Sequence, residues 1–305
     1  MLMNFKRYKK TLLTLGTTAM IGALILTGSS ESEAKNHEPK SEEKYSLTFN
    51  SNRYTKESVT VNGQTIRYRS YENIVYVSKP VDTNYQIMNI YIPEIYFGNA
   101  YKLKESAPIF FPNTIGGYNQ AKPAPATRPS ISLALSKGYV VATPGARGRT
   151  TQNENGLYTG KAPAGIVDLK AAVRYLRYND KIMPGDAEKI ISNGTSAGGA
   201  MSALLGATGN NKDYEPYLQE LGAAKVRDDI FAVSSYCPIT NLDNADTAYE
   251  WLFNGINSYN WRESGQLTPE QIRVSNELKR LFPSYVNSLK LVEDKKGKRK
   301  AIDYP

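Results

Sequence analysis

Between Ile190 and Thr208 the chain passes from a short apolar run through Gly194, Thr195, Ser196, Ala197 and Gly198 into a stretch of small residues. A strand that turns at once into a helix leaves its corner residue exposed on a strained backbone, and side chains two positions to either side would collide across the turn. Gly194 and Gly198 remove those side chains, while Ala197 and Gly199 keep the following turn slim. A helix beginning at Ala197 aims the positive end of its dipole at the corner. Ser196 is therefore the candidate nucleophile, and Gly194, Thr195 and Gly198 form the elbow that presents it.

The rest of the pattern fits that corner. Residues 59–71 alternate apolar and polar around Asn62 and Gly63, which predicts an antiparallel hairpin with a two-residue turn. Residues 86–92 and 108–111 read as further strands. Beyond them strands and helices alternate: a helix over 130–137 ended by Gly138, a strand over 139–143, a helix over 165–178, a strand at 190–191, a helix over 197–208 and a strand over 231–236. Leu169, Ala172, Val173 and Leu176 fall at i, i+3, i+4 and i+7, so the 165–178 helix should turn them toward the sheet. This order predicts an α/β fold, a mostly parallel sheet with helices on both faces and antiparallel entrance strands.

After Pro238 the alternation stops. Residues 243–253 read as a helix, and Thr268, Pro269 and Gln271 make a capping-box start for a second, running to about Leu281 and stopping before Pro283. Two helices with no strand between them read as the start of a helical lid insertion, followed by a strand at 289–293. The expected domains are a signal peptide (1–34), a polar leader (35–50), the α/β core (51–243) and the beginning of the lid (244–305).

Lys6, Arg7, Lys9 and Lys10 precede an apolar run over 12–26, the layout of a secretion signal cleaved after Ala34. The run is too short and too rich in Thr and Gly for a comfortable membrane span, which needs about 20 apolar residues. Ser29 stands where a lipidated cysteine would be required. The expected location is extracellular, with no membrane attachment after cleavage. The net charge of +9 includes Lys295, Lys296, Lys298, Arg299 and Lys300, but around Gly297 that cluster reads as a solvated hairpin turn rather than a nucleic-acid surface. One cysteine, Cys237, excludes an internal disulfide and reads as a buried structural residue. With one cysteine and one histidine no nitrogen or sulfur metal cluster is expected, and residues 156–161 lack the spacing of a phosphate-binding loop, so no cofactor is expected either.

Gly116 and Gly117 follow the apolar strand at 108–111, where their backbone amides, with that of Ala197, could stabilise a developing oxyanion. Each such donor is typically worth about 3 kcal/mol of barrier. A serine hydroxyl also needs a base, and the one histidine is His37, in the charged leader. Asp243 and Asp246 are the nearest carboxylates, but a carboxylate with a pKa near about 4 is a poor base toward serine. Arg147 and Arg149, beside Gly145 and Gly148, follow a strand and are candidates to line the site, but they read first as turn residues on a solvated rim. Asn193, Gly194 and Thr195 form a glycosylation sequon that the elbow would bury.

Three passages, residues 194–200, residues 236–246 (Tyr-Cys-Pro-Ile-Thr-Asn-Leu-Asp-Asn-Ala-Asp) and Tyr249-Glu250-Trp251, resemble the secreted bacterial tannases of the α/β-hydrolase superfamily. The resemblance implies hydrolysis of galloyl esters by a Ser, His, Asp triad, with Ser196 as nucleophile, Ala197 and the Gly116 and Gly117 region as oxyanion hole, and a lid that helps to hold the galloyl ring. In that family the acid and the histidine come after the lid, and no histidine follows Ser196 here. The expectation is an amino-terminal portion of such an esterase, inactive as written, with an incomplete sheet that leaves a strand edge unpaired. The substrate would be a small galloyl or other aromatic ester. Feruloyl or general carboxylic ester hydrolysis, and a catalytically silent binding protein of the same fold, are the alternatives. The sequence leaves the oligomeric state open.

Overall fold

The computed structural model describes residues 45–97, 106–261, 263–295 and 298–301, all within one compact unit, Glu42–Pro305. The expected signal peptide, the expected leader up to residue 44 and His37 lie outside the described residues.

Asn62 and Gly63 both take left-handed φ values, 47° and 78°, the mirror-image turn whose twist suits a tight hairpin. They join β1 (Thr55–Val61) to β2 (Gln64–Val75) antiparallel. β3 (Ile87–Pro93) pairs antiparallel with β2 and, on its other side, with β5 (Val140–Pro144). β4 (Pro108–Pro112) lies parallel between β5 and β6 (Asp186–Thr195), and β7 (Ala232–Tyr236) is parallel to β6. The strand order is β1-β2-β3-β5-β4-β6-β7. The sheet is thus mixed: antiparallel in its entrance half and parallel only in the half that carries Ser196.

Alternation along the strands splits the core between two faces. Ile109, Phe111, Val140, Ala142 and Ile190 pack on the side covered by α2 (Ala164–Tyr178) and α3 (Ala197–Ala207). Phe110 and Val141 point the other way, toward Ile131 and Leu135 of α1 (Pro129–Ser136). Leu169, Ala172, Val173 and Leu176 are fully buried, as their spacing predicts. Burying a Leu or Val side chain stabilises by about 1.5–3 kcal/mol, so these positions fix the helix on the sheet.

The opposite side of α2 is not a solvated face. Lys170 and Arg174 are buried there and share Asp228 as partner, while Asp168, on another side of the helix, is buried against Arg147. The Lys170 ammonium donates to Asp228 at 2.8 Å and to the Thr208 carbonyl at 2.5 Å. Arg174 reaches both Asp228 and Glu215 of α4 (Glu215–Glu220). The connection from α3 to β7 covers this side of α2, and ion pairs satisfy what the periodicity would have left in water.

Past β7, α5 (Leu242–Phe253) packs on α6 (Pro269–Ser288), with Trp251 and Phe282 rings 5.1 Å apart. A small hairpin, β8 (Ser258–Trp261) and β9 (Glu263–Gln266), separates them, correcting the expectation of two helices with no strand between. Thr268 and Gln271 form the capping box. α6 does not stop before Pro283 but continues through it. Contacts on both sides of the proline hold the helix straight on: Lys279 donates to Asn254, Phe282 meets Trp251, and Tyr285 pairs with Asn241. Of the basic cluster, Lys295 ends β10 (Val292–Lys295) and Lys298, Arg299 and Lys300 lie in β11 (Lys298–Ala301), which pairs antiparallel with it.

Among the described residues the outer edge of β7 has no partner strand, and Phe231, Val233 and Tyr236 are exposed beside it. Cys237, predicted buried, is exposed with a φ of 43°. The chain leaves the rim strand there in a left-handed turn, so the thiol faces outward instead of continuing the buried alternation.

Removing Asp228 would strand a wholly buried ammonium, a change that typically costs about 3–5 kcal/mol. Asp228→Ala should therefore lower the urea unfolding free energy by an amount in that range, whereas Asp186→Ala, which loses the partly exposed pair with Lys189 and an exposed hydrogen bond from the Glu188 amide, should cost less than Asp228→Ala, about 1 kcal/mol.

Candidate active site

Ser196 is the first residue past β6 and adopts φ 58° and ψ −124°, a conformation that L-residues adopt only under constraint. The constraint is visible. Its N–H donates to the Tyr236 carbonyl at 2.9 Å, and its carbonyl accepts from Ala200 at 3.0 Å and from Ile239 at 3.3 Å. The side chain is exposed, does not cap α3, and has no hydrogen-bond partner among the described residues.

The glycines around it are required by close approach of backbone to backbone. A Cβ on Gly194 would lie 2.2 Å from the Gly198 carbonyl oxygen, and one on Gly198 would lie 2.6 Å from Asn113 Oδ1 and 2.8 Å from the Ile115 carbonyl. Gly199 has the same restriction against the Tyr236 carbonyl, at 2.6 Å. Strand end, corner and first helical turn therefore occupy a space in which no side chain fits.

Asn113, one residue past β4, closes the back of this corner. Its Nδ2 donates to the carbonyls of Asn193 and Gly198, both at 3.1 Å, and to Ser202 Oγ at 2.9 Å, while its Oδ1 accepts from the Ile115 amide at 3.3 Å. Ile115 is thereby held against the elbow, and Gly116 follows it. Gly117 and Tyr118 both have φ 57°, and the Asn119 N–H donates to the Gly116 carbonyl at 3.0 Å, closing a type I′ turn. The N–H groups of Gly116, Gly117 and Ala197 donate to no described residue. A cavity of about 870 Å³ touches Asn113, Gly116, Gly194 and Tyr236 at the strand ends and extends along Phe110 and Ile191 to Ile131 of α1, and Ser196 is not part of its lining. A second, of about 610 Å³, is more apolar and includes Ile115, Tyr118, Met201, Leu204 and Ile239.

Asp243 and Asp246 stand exposed on α5, and neither bonds to Ser196. Arg147 is not a rim residue: it is 7% exposed and grips the Asp168 carboxylate through Nη2 at 2.8 Å and Nε at 3.0 Å, with its backbone N–H also on that carboxylate. The Asp168 carboxylate draws it inward because an unpaired buried charge would cost several kcal/mol. Arg149 does stand at the surface, its Nε donating to the Gly117 carbonyl at 2.9 Å. The Asn193 side chain is engaged with the Ser234 carbonyl. Asn113, Tyr118 and Ile239 were not legible as site residues. A polar amide directly after an apolar parallel strand is a usable signal for Asn113, but Tyr118 meets Ile239 across 121 positions and leaves no local trace. Among the described residues no three metal-ligating side chains cluster, and no helix is long and apolar enough to cross a membrane.

Residues 115–287, more than half of the chain, match the family model BD-FAE. The chain belongs to the BD-FAE family. Its likeness to solved tannases is extensive. The tannase of Fusobacterium nucleatum is 55% identical with a TM-score of 0.77, over 85% of this chain and 60% of that one. A tannin acyl hydrolase solved with ethyl gallate is 47% identical (TM-score 0.74; 84% and 59%), and the tannase from Lactobacillus plantarum 44% (0.74; 84% and 60%). The esterase LipC of Mycobacterium tuberculosis is 29% identical over 119 residues, 39% of this chain and 23% of its own length. This BD-FAE chain is thus a tannase-like α/β-hydrolase, and it spans about 60% of the length of the tannase chains it matches.

Gly194→Ala would place a methyl group 2.2 Å from a backbone oxygen that cannot move without opening the elbow. We expect it to destabilise the protein by more than about 3 kcal/mol, measured by chemical denaturation, while Gly116→Ala, with open space around its Cβ, should cost less than about 1 kcal/mol.

Proposed function

We propose that this chain carries the nucleophile and oxyanion site of a secreted serine esterase that hydrolyses galloyl esters. The observation that carries the reading is the strained, exposed and unpartnered Ser196 hydroxyl beside the unengaged amides of Ala197, Gly116 and Gly117. The substrate class is supported by likeness to tannin acyl hydrolases solved with ethyl gallate and with 3,4-dihydroxybenzoate. A feruloyl or general carboxylic ester is accommodated by the same chemistry. Residues 1–34 serve as the export signal, residues 35–50 as a leader, residues 51–243 as the catalytic core and residues 244–305 as the start of the lid.

In the reaction the Ser196 oxygen attacks the ester carbonyl carbon, and the carbonyl oxygen becomes an oxyanion facing the amides of Ala197 and the glycine turn. Those donors lower the barrier because they are already oriented and need no reorganisation as the charge forms. The serine proton then has to reach the departing alcohol, which takes a base in hydrogen-bond contact with Ser196. No described residue is a histidine, and Ser196 bonds to no other side chain among them. The base and its acid come from outside the described residues, and the 305-residue chain by itself is close to inactive. The same absence favours a second reading, a silent binding protein that keeps the pocket.

The test is hydrolysis of methyl gallate by the purified chain. The expected rate is what an oxyanion hole leaves without a base, on the order of 10³-fold over water, unaltered by Ser196→Ala. Turnover lost on Ser196→Ala would show that a base is present and overturn the claim of near-inactivity. Gallate binding with no rate above buffer would favour the silent module.

A further inference from the structure

Type I′ turns require a left-handed backbone at both central positions, and a tyrosine at the second is unfavourable. Gly117 and Tyr118 nonetheless both have φ 57°. Rotating the single peptide plane between them would convert the turn to type II′, keep the glycine at positive φ and return Tyr118 to the ordinary negative region. Left to local preference, this turn would flip. Something holds the less favourable form.

Two side chains do so. Arg149 donates from Nε to the Gly117 carbonyl at 2.9 Å, which is the carbonyl of the plane that would rotate. A charge-assisted bond of this kind is stronger than a neutral one. The Tyr118 hydroxyl donates to the Ile239 carbonyl at 2.5 Å, pinning the ring of the strained residue. Burial raises the pKa of that phenol, so it remains a donor throughout the neutral range. Ile239 in turn donates its N–H to the Ser196 carbonyl at 3.3 Å, linking the turn to the elbow.

The segment that carries Arg149 is itself fixed. Its backbone N–H donates to the Tyr118 carbonyl at 2.8 Å, and Ala146 and Ala121 exchange two hydrogen bonds of 2.9 Å. Gly148 approaches so closely that a Cβ would lie 2.1 Å from the Asn119 carbonyl carbon. Arg147, between them, is anchored on buried Asp168.

The geometry points to Arg149 and Tyr118 as positioning residues that lock the Gly116–Asn119 turn in its type I′ form and so fix the orientation of the Gly117–Tyr118 peptide dipole beside the amides of Gly116 and Gly117. The inference rests on the esterase reading above. A flipped turn reverses the dipole of the Gly117–Tyr118 peptide, the plane next to the one that carries the Gly117 amide, and so changes the field at the developing oxyanion; the loss falls on the charged transition state rather than on substrate binding.

The test uses the full chain with Arg149→Ala, Tyr118→Phe and Arg149→Lys. These variants keep every backbone bond of the clamp, and circular dichroism checks that they fold. Crystal structures of the first two are expected to show position 118 at negative φ, and residual hydrolysis of 4-nitrophenyl acetate should fall about tenfold in kcat with KM unchanged, with Arg149→Lys recovering most of the loss of Arg149→Ala. A type I′ turn retained in both structures overturns the clamp, as does a flipped turn with unchanged kcat. Should the unsubstituted chain show no rate above buffer, the esterase reading fails, and the crystal structures alone decide whether the clamp holds the turn.

Discussion

The corner at Ser196 depends on one hydrogen bond, from its N–H to the Tyr236 carbonyl, made across a gap that only glycine leaves open. A serine at φ 58° pays a local conformational cost of about 1–3 kcal/mol. That cost is met by tertiary structure on three sides: β7 supplies the acceptor, Asn113 ties the end of β4 to the first helical turn, and α3 begins immediately beyond. Loss of any one of these frees the corner to relax.

The parts of the fold legible in the sequence are those set by local chemistry. Asn62 and Gly63 announced their hairpin because few other residues accept two left-handed positions. The spacing of Leu169 to Leu176 announced its helix and its buried side. The elbow was legible because its glycines are spaced by the turn itself. What could not be read is long-range. Arg147 looks like a turn residue until Asp168, 21 positions away, draws it inward. Lys170 and Arg174 look solvent-facing until the loop after α3 closes over them with Asp228. Pro283 looks like a helix stop until α5 packs against both of its flanks.

The same division holds for the candidate site. Ser196 and the glycines are motif residues, visible from spacing alone. Asn113, Tyr118 and Arg149 owe their importance to what they reach across loops, and no periodicity marks them. Helix α2 connects these observations: its apolar side positions the sheet, while Asp168 near its start anchors the segment that contacts the glycine turn. A residue in the interior of the fold thereby acts on the shape of a surface loop.

β7 stands at the rim of the sheet, yet it supplies the acceptor on which the serine corner hangs. Rim strands open locally at free energies well below that of global unfolding. The fraction of molecules with a competent corner is consequently governed by fraying of this one strand. Amide protection along β7, rather than the melting temperature, is the quantity that tracks how many molecules keep the Ser196 corner formed.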